Sequence, residues 1–171
     1  MNAKPCSASL ALKTTHVLPP DTNHYGTLFG GKLMAHLDDI AAIAAVKHAK
    51  NPVVTASTDS VDFLAPVKGG QYISLEAFVT WTHHTSMEVF IRAITEDIQT
   101  GTRTPCTTAF MTFVAIDENG KPVEVPPVYP ETDDEKMLHE SAPLRANRRA
   151  ERRKQSKQLA ETFGTVYRTE K

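Results

Sequence analysis

Cysteine is scarce in this chain: Cys6 and Cys106 are the only two among 171 residues. They form neither a CxxC pair nor a zinc-ligand spacing, which argues against a disulfide scaffold and a structural metal and suits a reducing compartment. An excess of one charge is also lacking. A formal net charge of -1 gives no global attraction to nucleic acid or an anionic membrane, so such binding would need a local patch. Long apolar runs are absent too. No stretch approaches the ~18 residues of a membrane helix, and the opening MNAKPCSASLALKTTHVLPP has no signal-peptide core. The expectation is a soluble cytoplasmic protein with no membrane and no nucleic-acid partner.

What is present is ordinary for a globular domain. Hydrophobic residues make up 40% and charged residues 23%, and the length suits one domain plus a tail. Residues 1–8 read as an N-terminal extension, 9–120 as the domain, and 121–171 as a polar tail. Residues 9–18 suit a first strand that stops at the Pro19-Pro20 breaker, since proline supplies no ladder donor. The segment 19–30, PPDTNHYGTLFG, is a loop rich in turn formers.

From Gly31 to Ala49 the spacing predicts a helix. Leu33, Met34, Leu37, Ala41, Ala44 and Ala45 recur at three- and four-residue intervals, and the alanines favour helix and close packing. Asn51-Pro52 stops it. Four strands follow: 53–66, 72–81, 87–94 and 106–116. Alternation puts Ile73, Leu75, Ala77, Val79 and Trp81 on one face of the second, and Met87, Val89, Ile91 and Ala93 on one face of the third. The pattern is α+β, an antiparallel sheet with a helix on one face. The other face is apolar enough to need a cover, for which a second subunit is one source.

The tail differs. Pro122, Pro126, Pro127 and Pro130 and the acidic run from Glu131 to Glu135 precede RANRRAERRKQSK. That basic segment can be partly helical but has no continuous apolar stripe with which to build a core. Its arginines are either a solvated surface or a clamp for phosphate charge.

The segment Asn23 to Asp38, NHYGTLFGGKLMAHLD, holds the chemistry. A glycine-containing loop runs into a helix start, where Gly30 and Gly31 let a ligand approach backbone N–H groups that have no helical partner. Such a start can hold an oxyanion. Asp38 lies among small and apolar neighbours, Met34, Ala41 and Ala42, which suits either a solvated rim carboxylate or a partly desolvated base. Asp39 is the weaker candidate. Asn23, taken alone, also suits a turn or cap. No serine or cysteine fits a GxSxG elbow, and the histidines show no HExxH spacing, so no metal is expected.

PPDTNHYGTLFGGKLMAHLDD, followed by VVTASTDSVDFLAPVKGG and WTHHTSMEVFIRA, resembles the bacterial acyl-CoA thioesterase family of the hot-dog superfamily. The resemblance spans residues 9–120. It implies a central helix wrapped by a curved antiparallel sheet, dimers whose sheets join, and assembly at least to dimers, with a trimer of dimers common. It implies Asn23 and Asp38 as catalytic residues facing each other across the dimer interface. Asn23 and the Gly30–Gly31 backbone would activate the thioester carbonyl. Asp38 would act as general base for water, or alternatively attack directly to form an anhydride. His84, Thr85 and Ser86, at the turn between two strands, and Phe63 would contact coenzyme A or the acyl channel. No cofactor is expected, because coenzyme A is itself part of substrate and product. Two other readings remain from the residues: a hot-dog dehydratase, whose catalytic histidine context is missing here, and a non-catalytic acyl-CoA-sensing module, which would not need both Asn23 and Asp38.

Overall fold

The computed structural model describes residues 1–165; the last six residues of the expected tail lie outside them. A helix α1 (Gly30–Ala49) packs on a five-stranded antiparallel sheet of β2 (Ala11–His16), β4 (Tyr72–Thr82), β5 (Ser86–Glu96), β6 (Arg103–Ala115) and β3 (Val53–Phe63), in the order β2-β4-β5-β6-β3. A short parallel pair, β1 (Lys4–Pro5) with β7 (Val128–Tyr129), stands apart from it. A second helix, α2 (Asp133–Phe163), ends the described chain. This is the helix-in-sheet arrangement of the hot-dog fold.

The helix forms where the spacing predicts, beginning one residue earlier at Gly30. Leu33, Leu37, Ile40, Ala41, Ala44, Ala45 and His48 are buried against the sheet. Burying Leu37 and Ile40 completely stabilises the fold by roughly 1.5–3 kcal/mol each. The alanines between them keep the helix close to the strands. Lys50 ends it in the left-handed region, at φ 58°, and its N–H bonds the Val46 carbonyl. His48 donates from Nε2 to the Pro126 carbonyl at 2.8 Å, tying the helix end to the segment before β7.

Alternation holds through most of the sheet: Ile73, Leu75, Ala77 and Val79 on β4 and Met87, Val89, Ile91 and Ala93 on β5 are fully or almost fully buried. Trp81 is a correction. A bulge between Val79 and Trp81 sets Trp81 opposite Glu88. One extra residue shifts the phase of alternation, so Trp81 leaves the α1 side for the other face of the sheet.

Within the tail, Asp133–Phe163 forms one 31-residue helix, longer than its lack of an apolar stripe implies. It starts at a capping box, in which the Thr132 hydroxyl accepts from Glu135 N and the Glu135 carboxylate accepts from Thr132 N. Part of the second face of the sheet is therefore covered by this chain itself. Ala142 is buried there, and the Arg145 guanidinium sits 4.1 Å above the Phe110 ring. The main attachment is ionic. Arg145 bonds the fully buried Glu88 at 2.7 Å, while Arg149 and Arg152 bond Asp59 at 2.7 and 2.6 Å.

Burial pushes the Asp59 carboxyl up, but hydrogen bonds from Ser57 and Thr112 and the Arg149 charge outweigh it and hold the group below its ordinary range. A folded value below the unfolded one means that this stabilisation is complete above about pH 4 and is lost as pH falls further. Arg145→Ala strands the Glu88 carboxylate and is expected to destabilise the protein by about 3 kcal/mol, read as a lower urea midpoint. An unchanged midpoint would mean that Arg149, 3.7 Å from Glu88, takes over the charge.

Candidate active site

The loop that enters α1 is closed by Asn23. Its backbone N–H bonds the Thr27 carbonyl at 2.8 Å, and Gly26, at φ 72°, makes the tight turn. The Asn23 Oδ1 accepts from Tyr25 N at 2.9 Å and from Thr27 N at 3.3 Å. Its Nδ2 donates to the Thr27 hydroxyl at 3.0 Å. An amide nitrogen carries two donors, so one N–H is left for a ligand after Thr27 is served.

At the helix start, Lys32 N and Leu33 N both bond the Phe29 carbonyl, whereas the Gly30 and Gly31 amides meet no loop or cap acceptor among the described residues. Gly31 also has a steric reason: a Cβ there would come within 2.5 Å of the Phe29 ring. At Gly30 a Cβ would make only an ordinary 3.9 Å contact with Phe63. Gly30 and Phe63 share a cavity of about 290 Å³ with Thr27, Leu33 and Leu64.

Asp38 lies two turns further along α1, roughly 12 Å from Gly30 at 1.5 Å per residue. It is half-buried, and its Oδ1 accepts from the Thr55 hydroxyl on β3 at 2.8 Å. Thr55 escaped the sequence reading, because nothing separates it from the other polar residues of β3. The neighbouring Asp39 turns outward to an ion pair with Lys13 at 2.6 Å.

Within one chain these residues do not meet. Asn23 bonds Tyr25 and Thr27, and Asp38 bonds Thr55. Strand register sets the turn holding His84, Thr85 and Ser86 far from Phe63: Ser86 pairs with Val114 beside the start of β3, and Phe63 pairs with Thr107 at its end. The turn residues also diverge from one another. Ser86 lines a cavity beneath α2, His84 a smaller one beside Glu124 and Val125, and the Thr85 carbonyl accepts from Ala115 N. His83, which carries no expected role, lines both cavities.

No group of three or more metal-ligating side chains occurs among the described residues. None of their helices is long and apolar enough to cross a membrane.

The fold agrees with that of known proteins. A family model described as the thioesterase superfamily matches residues 25–102. The acyl-CoA thioester hydrolase YkhA of Bacillus subtilis is 52% identical over 94% of this chain and 93% of its own length. A solved hexameric acyl-CoA thioesterase in its apo form is 51% identical, with TM-score 0.87 over 89% of this chain and 97% of its own. The acyl-CoA hydrolase of Staphylococcus aureus, solved with butyryl coenzyme A, coenzyme A and coenzyme A disulfide, is 47% identical, with TM-score 0.91 over 95% and 99%. That enzyme has also been solved with single alanine replacements of an aspartate, an asparagine and a threonine. By fold and by identity along nearly its whole length, the chain belongs to the bacterial acyl-CoA thioester hydrolases of the thioesterase superfamily.

Proposed function

We propose that this protein hydrolyses acyl-CoA thioesters to the free acid and coenzyme A, using Asp38 as base and Asn23 with the Gly30–Gly31 amides as carbonyl activators. The observation that carries the assignment is the half-buried Asp38 carboxylate held by Thr55. The asparagine, aspartate and threonine replaced in the Staphylococcus aureus enzyme follow one another at the same spacing as Asn23, Asp38 and Thr55 here. The shared spacing supports treating the three as one working set.

In this reading the free Asn23 N–H and the unpartnered helix-start amides face the thioester oxygen, where negative charge develops. Thr55 fixes one oxygen of Asp38 and leaves the other to take a proton from water. The hydroxide attacks the carbonyl carbon, the tetrahedral oxyanion collapses, and the C–S bond breaks. The proton on Asp38 then passes to the departing coenzyme A thiolate. Phe63 borders the acyl group, and His84, Thr85 and Ser86 lie toward coenzyme A. No further cofactor takes part.

A complete site needs a second subunit, because Asn23 and Asp38 bond only their own neighbours. The free edges of the sheet favour one mode of pairing. β2 is six residues long, carries Lys13 and runs toward Pro19-Pro20, all of which discourage pairing. β3 offers an 11-residue edge, and the exposed apolar side chains Val54, Phe63 and Leu64 lie on it or just beyond it. Antiparallel pairing of two β3 strands would bring the Phe63 end of one subunit to the Thr55 end of the other. Three such dimers would build a hexamer, the assembly of the solved apo thioesterase. Residues 9–120 form the catalytic domain on this account, with 1–8 and 121–171 as additions to it.

Thiol release from short-, medium- and long-chain acyl-CoAs tests the proposal and gives the chain preference. Asp38→Ala should cost about 10²–10⁴ in kcat, and Asn23→Ala about 10²–10³. Full activity in Asp38→Ala would end the mechanism. Tight acyl-CoA binding by the natural protein with no turnover would favour the sensing module instead. Thr55→Ala should lower kcat by about tenfold through the lost hydrogen bond to a charged group, with sedimentation unchanged. No loss of rate would remove Thr55 from the working set.

A further inference from the structure

We propose that Arg149 and Arg152 of α2 are positioning residues for the hydrolysis: they pin the bulged middle of β3 in the register that turns Thr55 toward Asp38. This rests on the acyl-CoA reading above, in which Thr55 holds the base. It adds to that reading two residues outside 25–102, the part that matches the superfamily.

In a regular strand, residues two apart point to the same face. Thr55 and Ser57 do not. Thr55 points to α1, where its hydroxyl donates to Asp38, while Ser57 points to α2, where its hydroxyl accepts from Arg152. The register explains the reversal. Thr55 lies opposite Phe113 and Ser57 opposite Thr112, so Ala56 is an extra residue. Thr58 opposite Met111 and Ser60 opposite Phe110 make Asp59 a second. Thr55 therefore reaches Asp38 only while the first bulge stays at Ala56. A slip of one residue would turn Thr55 to the other face.

Little in the strand itself holds the bulges in place. Among the described residues, Val53 and Val61 are the hydrophobic side chains of β3 that pack on the core, each only partly buried. Between Thr55 and Ser60 the sequence TASTDS offers no apolar side chain larger than alanine. Such polar strands specify register weakly, and within one chain β3 has a single neighbour, β6, to set it.

The pinning comes from α2. Arg152 bridges both bulges: its Nη2 donates to the Ser57 hydroxyl at 2.7 Å and to Asp59 Oδ1 at 2.6 Å. Its Nη1 donates at 3.0 Å to the Asp59 carbonyl, on the residue that the second bulge leaves without a ladder partner. Arg149 donates to Asp59 Oδ2 at 2.7 Å, and the same oxygen accepts from the Thr112 hydroxyl on β6 at 2.8 Å. Asp59 Oδ1 also accepts from the Ser57 hydroxyl at 2.7 Å. The largely buried Asp59 carboxylate thus ties β3 to β6 through charge-assisted bonds from a helix that is itself fixed by Glu88.

Arg152 is partly exposed, and its removal leaves Asp59 paired with Arg149, so Arg152→Ala tests the clamp in a folded protein. In the full chain it should speed amide exchange along residues 53–60. It should also lower kcat for acyl-CoA several-fold, with KM and sedimentation unchanged. The ceiling is about tenfold, the loss expected of Thr55→Ala. A double-mutant cycle makes the decisive comparison. In a Thr55→Ala background, Arg152→Ala should cost nothing further in kcat, because the residue through which it acts is gone. Arg152→Lys should recover part of the rate, since an ammonium reaches one carboxylate oxygen but does not span Ser57 and the Asp59 carbonyl together. Arg148→Ala, whose exposed side chain makes no ion pair among the described residues, should match the natural protein.

Additive losses in the cycle, a loss of assembly, or a rise in KM alone each overturns the assignment, because Arg152 would then act elsewhere than on Thr55. Unchanged exchange along β3, in a protein whose rate still depends on Thr55, would sink the clamp and leave the thioesterase reading standing. Faster exchange in a protein that does not hydrolyse acyl-CoA, or whose rate ignores Thr55, would keep the clamp and sink the reading it serves.

Discussion

The close seating of α1 in the curve of the sheet is the constraint on which the rest depends. Ala41, Ala44 and Ala45 are wholly buried at that contact, and larger side chains would push the helix off the strands. Held at this distance, α1 presents its first turn to the Asn23 loop and its third to β3. Two parts of the proposed site, amide donors at a helix start and a carboxylate bonded to Thr55, are thereby fixed on one rigid element. A site built on a packed helix and strand needs little reorganisation when charge develops in the transition state.

The same seating leaves part of the chain uncovered. A helix embraced by one sheet leaves its outer side open, and Ile43 and Val46 on α1 are exposed, as are Phe29 before it and Phe63 and Leu64 at the end of β3. With β3 unpaired along one edge, the chain leaves its apolar remainder and the residues of the proposed site in the same region. One act of association would resolve both. The opposite face is closed by different physics. There α2 is held chiefly by charge, through Glu88 and Asp59, and a strap of buried ion pairs contributes more to where the helix lies than to net stability.

Much of this was legible in the sequence. Helix spacing from Leu33 to Ala45 and alternation along β4 and β5 gave the α+β layout, and the order from Asn23 to Asp38 singled out the residues of the proposed site. Trp81 was misplaced because a bulge leaves no mark in a period-two pattern. Thr55 was invisible because its partner lies 17 residues away on another element, and a lone threonine on a strand carries no signal. The length of α2 could have been seen. Thr132 and Glu135 spell a capping box with Asp133 and Asp134 in the first turn, but the missing apolar stripe hid a helix that is anchored by arginines. Glu88 and Asp59 gave no hint of pairing with residues roughly sixty and ninety positions away, since charge pairing across a fold has no period.

The central claim is that Asn23 of one subunit works with Asp38 of another. Subunit exchange tests it most directly: Asn23→Ala and Asp38→Ala proteins, each inactive alone, are unfolded together, refolded as a mixture and assayed for thiol release. In a mixed dimer one of the two sites keeps both native residues, so random pairing should restore on the order of a quarter of wild-type activity. If the mixture stays as inactive as its parents while mixed dimers are present, Asn23 and Asp38 serve the same subunit and the account is wrong.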